Sequence, residues 1–292
     1  MDMDIPPEWE QINASRLNGA LLIIGAPDVG KSTFARFLYQ QLQATSRCTA
    51  YLDGDPGQSR LGPPTTMTLA MGMSGNEIFP PRDRIWRTFV GGLSPVRHML
   101  PVVVGAARLV QAARDAGAQV IVYDTTGLID PDQGGAYLKM AKIDLLHPTV
   151  VFAIQYINEL EYLLVPLRRS RRVYVVDMSP PLAAQRRDPA TRRDYRAGQF
   201  ARYFENVNQV TVKWSNLAVF PAPVFTINRL VALEDSLGFT LGLGIVLDVA
   251  RESRQMVLLT PVPSMEKVDA IQLGDVALDP ETFQTQPVRK YS

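Results

Sequence analysis

Nine consecutive residues, Gly25-Ala26-Pro27-Asp28-Val29-Gly30-Lys31-Ser32-Thr33, place four residues between two glycines and follow them with a lysine and two hydroxyls. Each residue type has a task in holding a polyphosphate. Glycines let backbone N–H groups turn inward around phosphate oxygens. A helix that starts at the lysine adds its partial positive charge. The Lys31 ammonium reaches the outer phosphates, and the Ser32 hydroxyl suits Mg²⁺. Asp28, Val29, Gly30, Lys31, Ser32 and Thr33 are therefore the candidate nucleotide-binding residues, with ATP and Mg²⁺ as the expected cofactors. The bland alternative is a glycine-rich strand–helix turn with a chance lysine.

Three further groups could act on such a ligand. Tyr51-Leu52-Asp53-Gly54-Asp55-Pro56-Gly57-Gln58 carries two carboxylates. A carboxylate beside a transferable phosphoryl group can orient an acceptor hydroxyl and take its proton, or hold a metal-bound water. The alternative for both acids is a solvated Asp-Gly/Pro-Gly turn. Asp124-Thr125-Thr126-Gly127 has the D-x-x-G form of a loop that senses a terminal phosphate or its metal. Asp124 could instead cap a turn. Finally, residues 168–202 hold ten arginines against three acids, a net of +7, so the rest of the chain carries −6 of the formal +1. Arg192 and Arg196 are spaced to share one helical face. Guanidinium groups on a closing lid can neutralise a migrating phosphoryl group or grip a polyanion. A solvated basic helix is the plain alternative, and Arg168–Arg172 reads as a basic surface or a second polyanion contact.

These residues need a scaffold that brings strand ends together. The run 20–24 is wholly apolar and ends at Gly25, as in a buried parallel strand. Helical spacing follows over 33–44. Further strands are expected at 49–52, 120–123, 150–154 and 173–176, with helices over 100–117 and 158–167. Alternating strands and helices predict an α/β fold of the P-loop NTPase class, a mostly parallel sheet with helices on both faces. Ligands of such sheets bind beyond the carboxyl ends of the strands, where the phosphate loop, Asp53, Asp55 and Asp124 would meet. After about residue 206 the segments become short and β-like, at 209–212, 244–249, 256–260 and 270–273. The expected organisation is a tail over 1–19, a nucleotide-binding domain over 20–206 with an arginine-rich lid near 180–202, and a small β-rich C-terminal domain over 207–292.

The 292 residues are 46% hydrophobic and 20% charged, an ordinary globular composition. One cysteine, Cys48, cannot form an internal disulfide. The acidic N-terminus lacks the form of a signal peptide, and no apolar run is long enough for a membrane span. A cytoplasmic location is expected.

In order along the chain, these pieces resemble the polynucleotide 5′-hydroxyl kinases, the family of the mRNA cleavage factor kinase subunit and the pre-rRNA processing kinase. The stretch Pro27-Asp28-Val29-Gly30-Lys31-Ser32-Thr33 is similar to the family's phosphate loop. Asp55-x-Gly57-Gln58 and the following Gly62-Pro63-Pro64-Thr65-Thr66 resemble its second-strand motif. Phe89-Val90-Gly91-Gly92-Leu93-Ser94-Pro95 and Thr125-Thr126-Gly127 resemble two further loops, and Arg192-Arg193-x-x-Arg196 ahead of Tyr203-Phe204 resembles the lid. Thr260-Pro261 and Leu273-Gly274-Asp275 resemble parts of its C-terminal domain. The likeness implies an ATP-dependent kinase acting on 5′-hydroxyl ends of single-stranded RNA or DNA. It implies Asp55 as general base, with Lys31, Arg192, Arg193 and Arg196 as its catalytic companions. Ser32, Asp55 and Asp124 would be metal ligands, and Asp53, Gln58, Thr66, Thr125, Thr126 and Gly127 substrate contacts. Two departures stand out. Leu128 takes the place of the family's tryptophan, a base-stacking candidate; Phe79, Trp86 and Tyr137 could offer other faces, although each reads as a core aromatic. The N-terminal β-domain of the eukaryotic members is missing, as in a minimal prokaryote-like version. A nucleotide-dependent switch, a non-catalytic ATP-binding scaffold and a small-molecule kinase remain open readings, although the absence of Asn-Lys-x-Asp argues against guanine and the +7 segment disfavours a small acceptor.

Overall fold

A computed structural model describes residues 5–45, 47–72 and 79–288. The chain divides into two compact units, one made of 1–55, 68–86 and 95–187, the other of 56–67, 87–94 and 188–292.

The first unit opens with a short helix α1 (Pro7–Glu10), whose Trp9 is fully buried. Strand β1 (Gly19–Gly25) then leads through the phosphate loop to helix α2 (Lys31–Gln43). Every residue of β1 after Gly19 is buried, which is why it carries no polar side chain. Strands β2 (Thr49–Gly54), β3 (Thr66–Met71) and β4 (Arg84–Phe89) come next, then helix α3 (Met99–Asp115) and strand β5 (Val120–Thr125). Helix α4 (Gly135–Leu146), strand β6 (Val150–Ile154), helix α5 (Glu161–Ser170) and strand β7 (Tyr174–Met178) complete the alternation.

The seven strands lie in the order β4-β3-β2-β5-β1-β6-β7. Pairing is parallel across β2-β5-β1-β6-β7, while β3 runs antiparallel to β2. Right-handed crossovers put α2 on one face and α3, α4 and α5 on the other, because the chain first moves outward from β1 and then returns through β5 towards β7. The register sets Asp53 opposite Asp124 and Gly54 opposite Thr125 on neighbouring strands. The α/β reading of the sequence therefore holds. Strand β3, antiparallel to β2, and β4 beside it extend the sheet, and the helix expected over 158–167 starts three residues later. The β3 segment, Thr-Met-Thr-Leu-Ala-Met, is buried on both faces and so lacks the alternation that marks a strand in sequence.

In the second unit, helix α6 (Pro189–Tyr203) precedes strands β8 (Asn208–Lys213), β9 (Ala218–Phe220), β10 (Arg229–Glu234), β11 (Thr240–Ala250), β12 (Gln255–Thr260), β13 (Ala270–Leu278) and β14 (Thr285–Pro287). Their sheet runs β14-β13-β10-β11-β12-β8, with β9 added to β13. It is buried on both faces. Val231, Leu233, Val246 and Leu258 cluster with Trp214 and Phe225, whereas Leu230, Ala232, Leu243 and Ile245 cluster with Phe200 of α6 and Phe204 directly after it.

Candidate active site

The phosphate loop is shaped by its backbone before any side chain acts. Gly30 adopts φ +91° as the residue ahead of α2, and Asp28 holds φ +61°, a conformation that Asp tolerates better than most residues. Asp28 is fixed there by an arginine that the sequence reading placed only within a basic run. The Arg187 backbone N–H donates to Asp28 Oδ2 at 3.1 Å, its Nε donates to Oδ1 at 2.9 Å, and Nη2 lies 2.9 Å from the same oxygen. A second contact braces the loop, since a Cβ on Gly30 would sit 2.7 Å from Pro181. Lys31 is buried, and its ammonium donates to the carbonyl of Ala26 within the loop. Ser32 and Thr33 are half-buried at the start of α2.

Three carboxylates surround that lysine. Burial pushes the Lys31 ammonium below its ordinary value, and the nearby Asp124, Asp55 and Asp28 pull it back, while Arg187 adds to the lowering. Asp55 ends the β2 turn half-buried, with its backbone N–H donating to Asp53 Oδ1 at 3.4 Å. Asp53 is buried one strand-end earlier, and Asp124 is buried on β5 with Oδ2 accepting from the Tyr51 hydroxyl at 3.4 Å. Hard oxygen donors, one hydroxyl and carboxylates beside a phosphate cradle, fit Mg²⁺, which takes few protein ligands and keeps phosphate and water for the rest. Among the described residues no cluster of three or more His, Cys, Asp or Glu forms a closed metal cage.

Thr125 and Thr126 are buried behind Asp124. The Thr125 hydroxyl donates to the carbonyl of Ile23 at 2.7 Å, which ties β5 to β1 directly before the phosphate loop. Gly127 has no room for a side chain, because a Cβ there would lie 2.8 Å from backbone atoms of Pro27. The D-T-T-G segment thus seats against the phosphate loop.

Beneath this cluster lie two lysines that the sequence reading did not single out. Lys139 and Lys142, three apart on α4, are both fully buried. Lys139 Nζ donates to Thr125 Oγ1 at 2.8 Å and to the Thr126 carbonyl at 2.5 Å. Among the described residues Lys142 Nζ has no hydrogen-bond partner, and it stands 4.8 Å from the centre of the Tyr123 ring. That ring fills the space under Gly54, where a Cβ would meet it at 2.2 Å. Burial drives both ammonium groups down, Lys142 to about 7, against the pull of Asp55. The only sequence signal was their spacing: lysines at i and i+3 in a helix that is apolar nearly all round.

The remaining candidates belong to the second unit. Arg192 and Arg196 are half-buried on one face of α6, as their spacing requires, and Arg193 is exposed. The same helix is anchored through Tyr195 and Gln199, whose side chains donate to the Ser59 carbonyl at 3.1 and 2.8 Å. Gln58 is half-buried, and its amide donates to the Gly57 carbonyl. Thr66 is buried, with its hydroxyl donating to the Pro63 carbonyl at 2.7 Å. The first unit thus carries a nucleotide cradle flanked by carboxylates, and the second unit carries the arginine helix.

Known proteins carry the same arrangement of elements. The structure of the wild-type Clp1p–Pcf11p (454–563) complex matches with a TM-score of 0.68 over 91% of this chain and 76% of that one, at 13% identity, which bears on the fold alone. Polyribonucleotide 5′-hydroxyl-kinase MJ1315 of Methanocaldococcus jannaschii is 30% identical over 219 residues, 74% of this chain and 58% of that protein. Polyribonucleotide 5′-hydroxyl-kinase PYRAB01840 of Pyrococcus abyssi is 24% identical, over 91% of this chain and 90% of its own length. The chain thus spans little more than half of the first relative and most of the second. The family model described as mRNA cleavage and polyadenylation factor CLP1 P-loop matches residues 25–206, from the first glycine of the phosphate loop to the end of the arginine helix. Because that match takes in more than half of the chain, the protein belongs to the CLP1 P-loop family.

Proposed function

We propose that this chain is an ATP-dependent polynucleotide kinase that transfers the γ-phosphate of ATP·Mg²⁺ to a 5′-hydroxyl end of RNA or DNA. The observation that carries the reading is that neighbouring parallel strands end in two carboxylates, Asp55 after β2 and Asp124 on β5, and that both act on the Lys31 ammonium of the phosphate loop. A switch needs one carboxylate for the metal; a kinase uses a second that can face an acceptor alcohol. The relatives' names point to the same chemistry.

In this reading the triphosphate lies on Gly30–Thr33, with Lys31 turning from the Ala26 carbonyl to the outer phosphates. Ser32 and Asp124 would hold Mg²⁺ with its water shell, which when bound would supply positive charge beside the phosphates. Asp55, which could also ligate the ion, accepts the proton of the acceptor hydroxyl as it attacks in line. Asp53 and the Thr125–Gly127 loop line the acceptor side. Arg192, Arg193 and Arg196 supply lid charge to the equatorial oxygens, and Gln58 and Thr66 support the acceptor strand. The reading places the protein in the cytoplasm; no described helix is long and apolar enough to cross a membrane.

The test is transfer of labelled γ-phosphate from ATP to 5′-hydroxyl oligonucleotides, RNA and DNA, single- and double-stranded. Wild type transfers label, and Asp55→Asn keeps ATP binding but loses at least about a hundredfold of the rate, as expected for a general base. Transfer by Asp55→Asn at the wild-type rate removes Asp55 from that role. Hydrolysis without transfer supports a switch, and tight ATP retention with neither outcome supports a scaffold.

A further inference from the structure

Helix α4 holds the segment after β5 at two levels. At its start, the Gly135 N–H donates to the Asp130 carbonyl at 2.7 Å. One turn on, the fully buried Lys139 donates to the Thr125 hydroxyl oxygen at 2.8 Å and to the Thr126 carbonyl at 2.5 Å. The Thr125 hydroxyl has one proton of its own. Its nearer acceptor is the Ile23 carbonyl at 2.7 Å, while the Thr126 carbonyl lies at 3.4 Å. A buried chain of hydrogen bonds therefore runs from Lys139 through Thr125 to β1, two residues ahead of Gly25.

That chain occupies the Thr125 side chain: its proton goes to Ile23 and its oxygen receives Lys139. The hydroxyl thus serves the shape of the loop. The choice of a lysine to complete it is informative. Leu138, Ile143 and Leu146 already supply apolar packing on α4. For packing alone a methionine of similar length would serve better, because a buried amino group gives up its hydration. What methionine lacks is N–H groups. The charged and the neutral lysine side chain both have two of them to give, so the two bonds to Thr125 and Thr126 do not depend on the protonation state. Both bonds fall on the segment after β5, not on the phosphate loop.

We infer that Lys139 is a positioning residue of phosphoryl transfer: through the Thr125 hydroxyl and the Thr126 carbonyl it fixes the Asp124–Gly127 segment relative to the phosphate loop. The inference rests on the kinase reading and adds to it the group that sets the geometry of one wall of the site. Asp124 begins that segment at the end of β5, and Gly127 ends it against Pro27. Loosening the segment misplaces the groups around the migrating phosphoryl while leaving the backbone cradle for ATP in place, so the loss falls on kcat.

The experiment compares the full-length wild type with Lys139→Met, Thr125→Val, the double variant and Lys142→Met. Labelled-phosphate transfer to a 5′-hydroxyl oligonucleotide gives kcat and KM, calorimetry gives Kd for ATP, and hydrogen exchange reports on residues 124–130. In Lys139→Met kcat falls at least about tenfold, Kd for ATP stays within about twofold, and exchange in the segment speeds up. Thr125→Val shows the same pattern, and the double variant loses less than the product of the two single losses, because both act through one chain. Lys142→Met leaves exchange in the segment as in wild type. A wild-type kcat in Lys139→Met overturns the inference. So does a loss confined to ATP affinity, a double variant that loses the full product, or equal loosening of the segment in Lys142→Met. Should Lys139→Met not melt in a single transition, Thr125→Val and Thr125→Ser are read in its place. Loss of kcat with faster exchange in valine and wild-type values in serine, which keeps the hydroxyl, support the chain; equal behaviour of the two overturns it. If wild type transfers no phosphate at all, the kinase reading falls, and the exchange measurements still decide whether Lys139 fixes the segment.

Discussion

Lys142 is the least comfortable side chain in the first unit. Its ammonium is fully buried with no hydrogen-bond partner among the described residues, a situation that normally costs several kcal/mol unless the proton is lost. The consequence can be read as pH dependence. The folded-state value of about 7 lies below the ordinary 10.5, so between these limits the unfolded chain binds more protons than the folded one. Stability therefore rises as pH increases from about 7 towards 10.5, and below that window the penalty is present in full. Lys139 is shifted the same way and adds to the slope. Urea midpoints measured from pH 6 to 9.5 should climb for wild type. Lys142→Met should be more stable than wild type at pH 6 and show a shallower climb. Parallel curves for the two proteins would mean that Lys142 does not titrate in this window. A buried lysine retained beside Asp55 at such a disadvantage is the pattern expected of a site that trades stability for function.

At the scale of elements, the phosphate loop is held from outside itself. The β5 end seats Gly127 on Pro27, Thr125 ties to Ile23, and Arg187 grips Asp28 through its backbone and its guanidinium. A helix N-terminus and glycines make an anion cradle possible; these three contacts decide that it stays in one shape. Gly127→Ala tests the arrangement, because its methyl must displace backbone atoms rather than a flexible side chain. The expected outcome is a loss of about 1–3 kcal/mol of stability, typical of overpacking, together with weaker ATP binding in a calorimetric titration. Wild-type affinity in that variant would show that the loop keeps its shape unaided. The Arg187 contact was illegible in sequence. Asp28 and Arg187 are separated by 159 positions, and one arginine among ten in a basic stretch carries no mark of its partner.

At the scale of the whole molecule, the two units are built from interleaved stretches of chain. Segments 56–67 and 87–94 leave the strands of the first unit and belong to the second. There the Val90 N–H donates to the Thr65 carbonyl, the Asp275 N–H donates to the Gly91 carbonyl, and Phe89 packs close to Gly274. Phe200 and Phe204 likewise find their partners on β10 and β11. A fragment ending at residue 206, where the change in sequence texture suggests a boundary, would strip Phe89, Phe200 and Phe204 of that cover. The fragment should bind the dye ANS and melt without the single sharp transition of the full chain. A cooperative, dye-negative fragment would show that residues 1–206 form an independent domain.

Local signals were enough for the alternation of strands and helices, the phosphate loop and the two carboxylates beside it, because each is written within a few neighbouring residues: apolar runs, glycine spacing, an acid at a strand end. Strand β3 carries no such local mark, since a strand buried on both faces loses its alternation. The paired lysines beneath Asp55, the Arg187 grip on Asp28 and the exposure of Tyr137 were set by packing. Which side of a helix meets the core, and which distant cation meets a buried acid, depends on where the chain returns to itself, and one-dimensional spacing does not contain that distance.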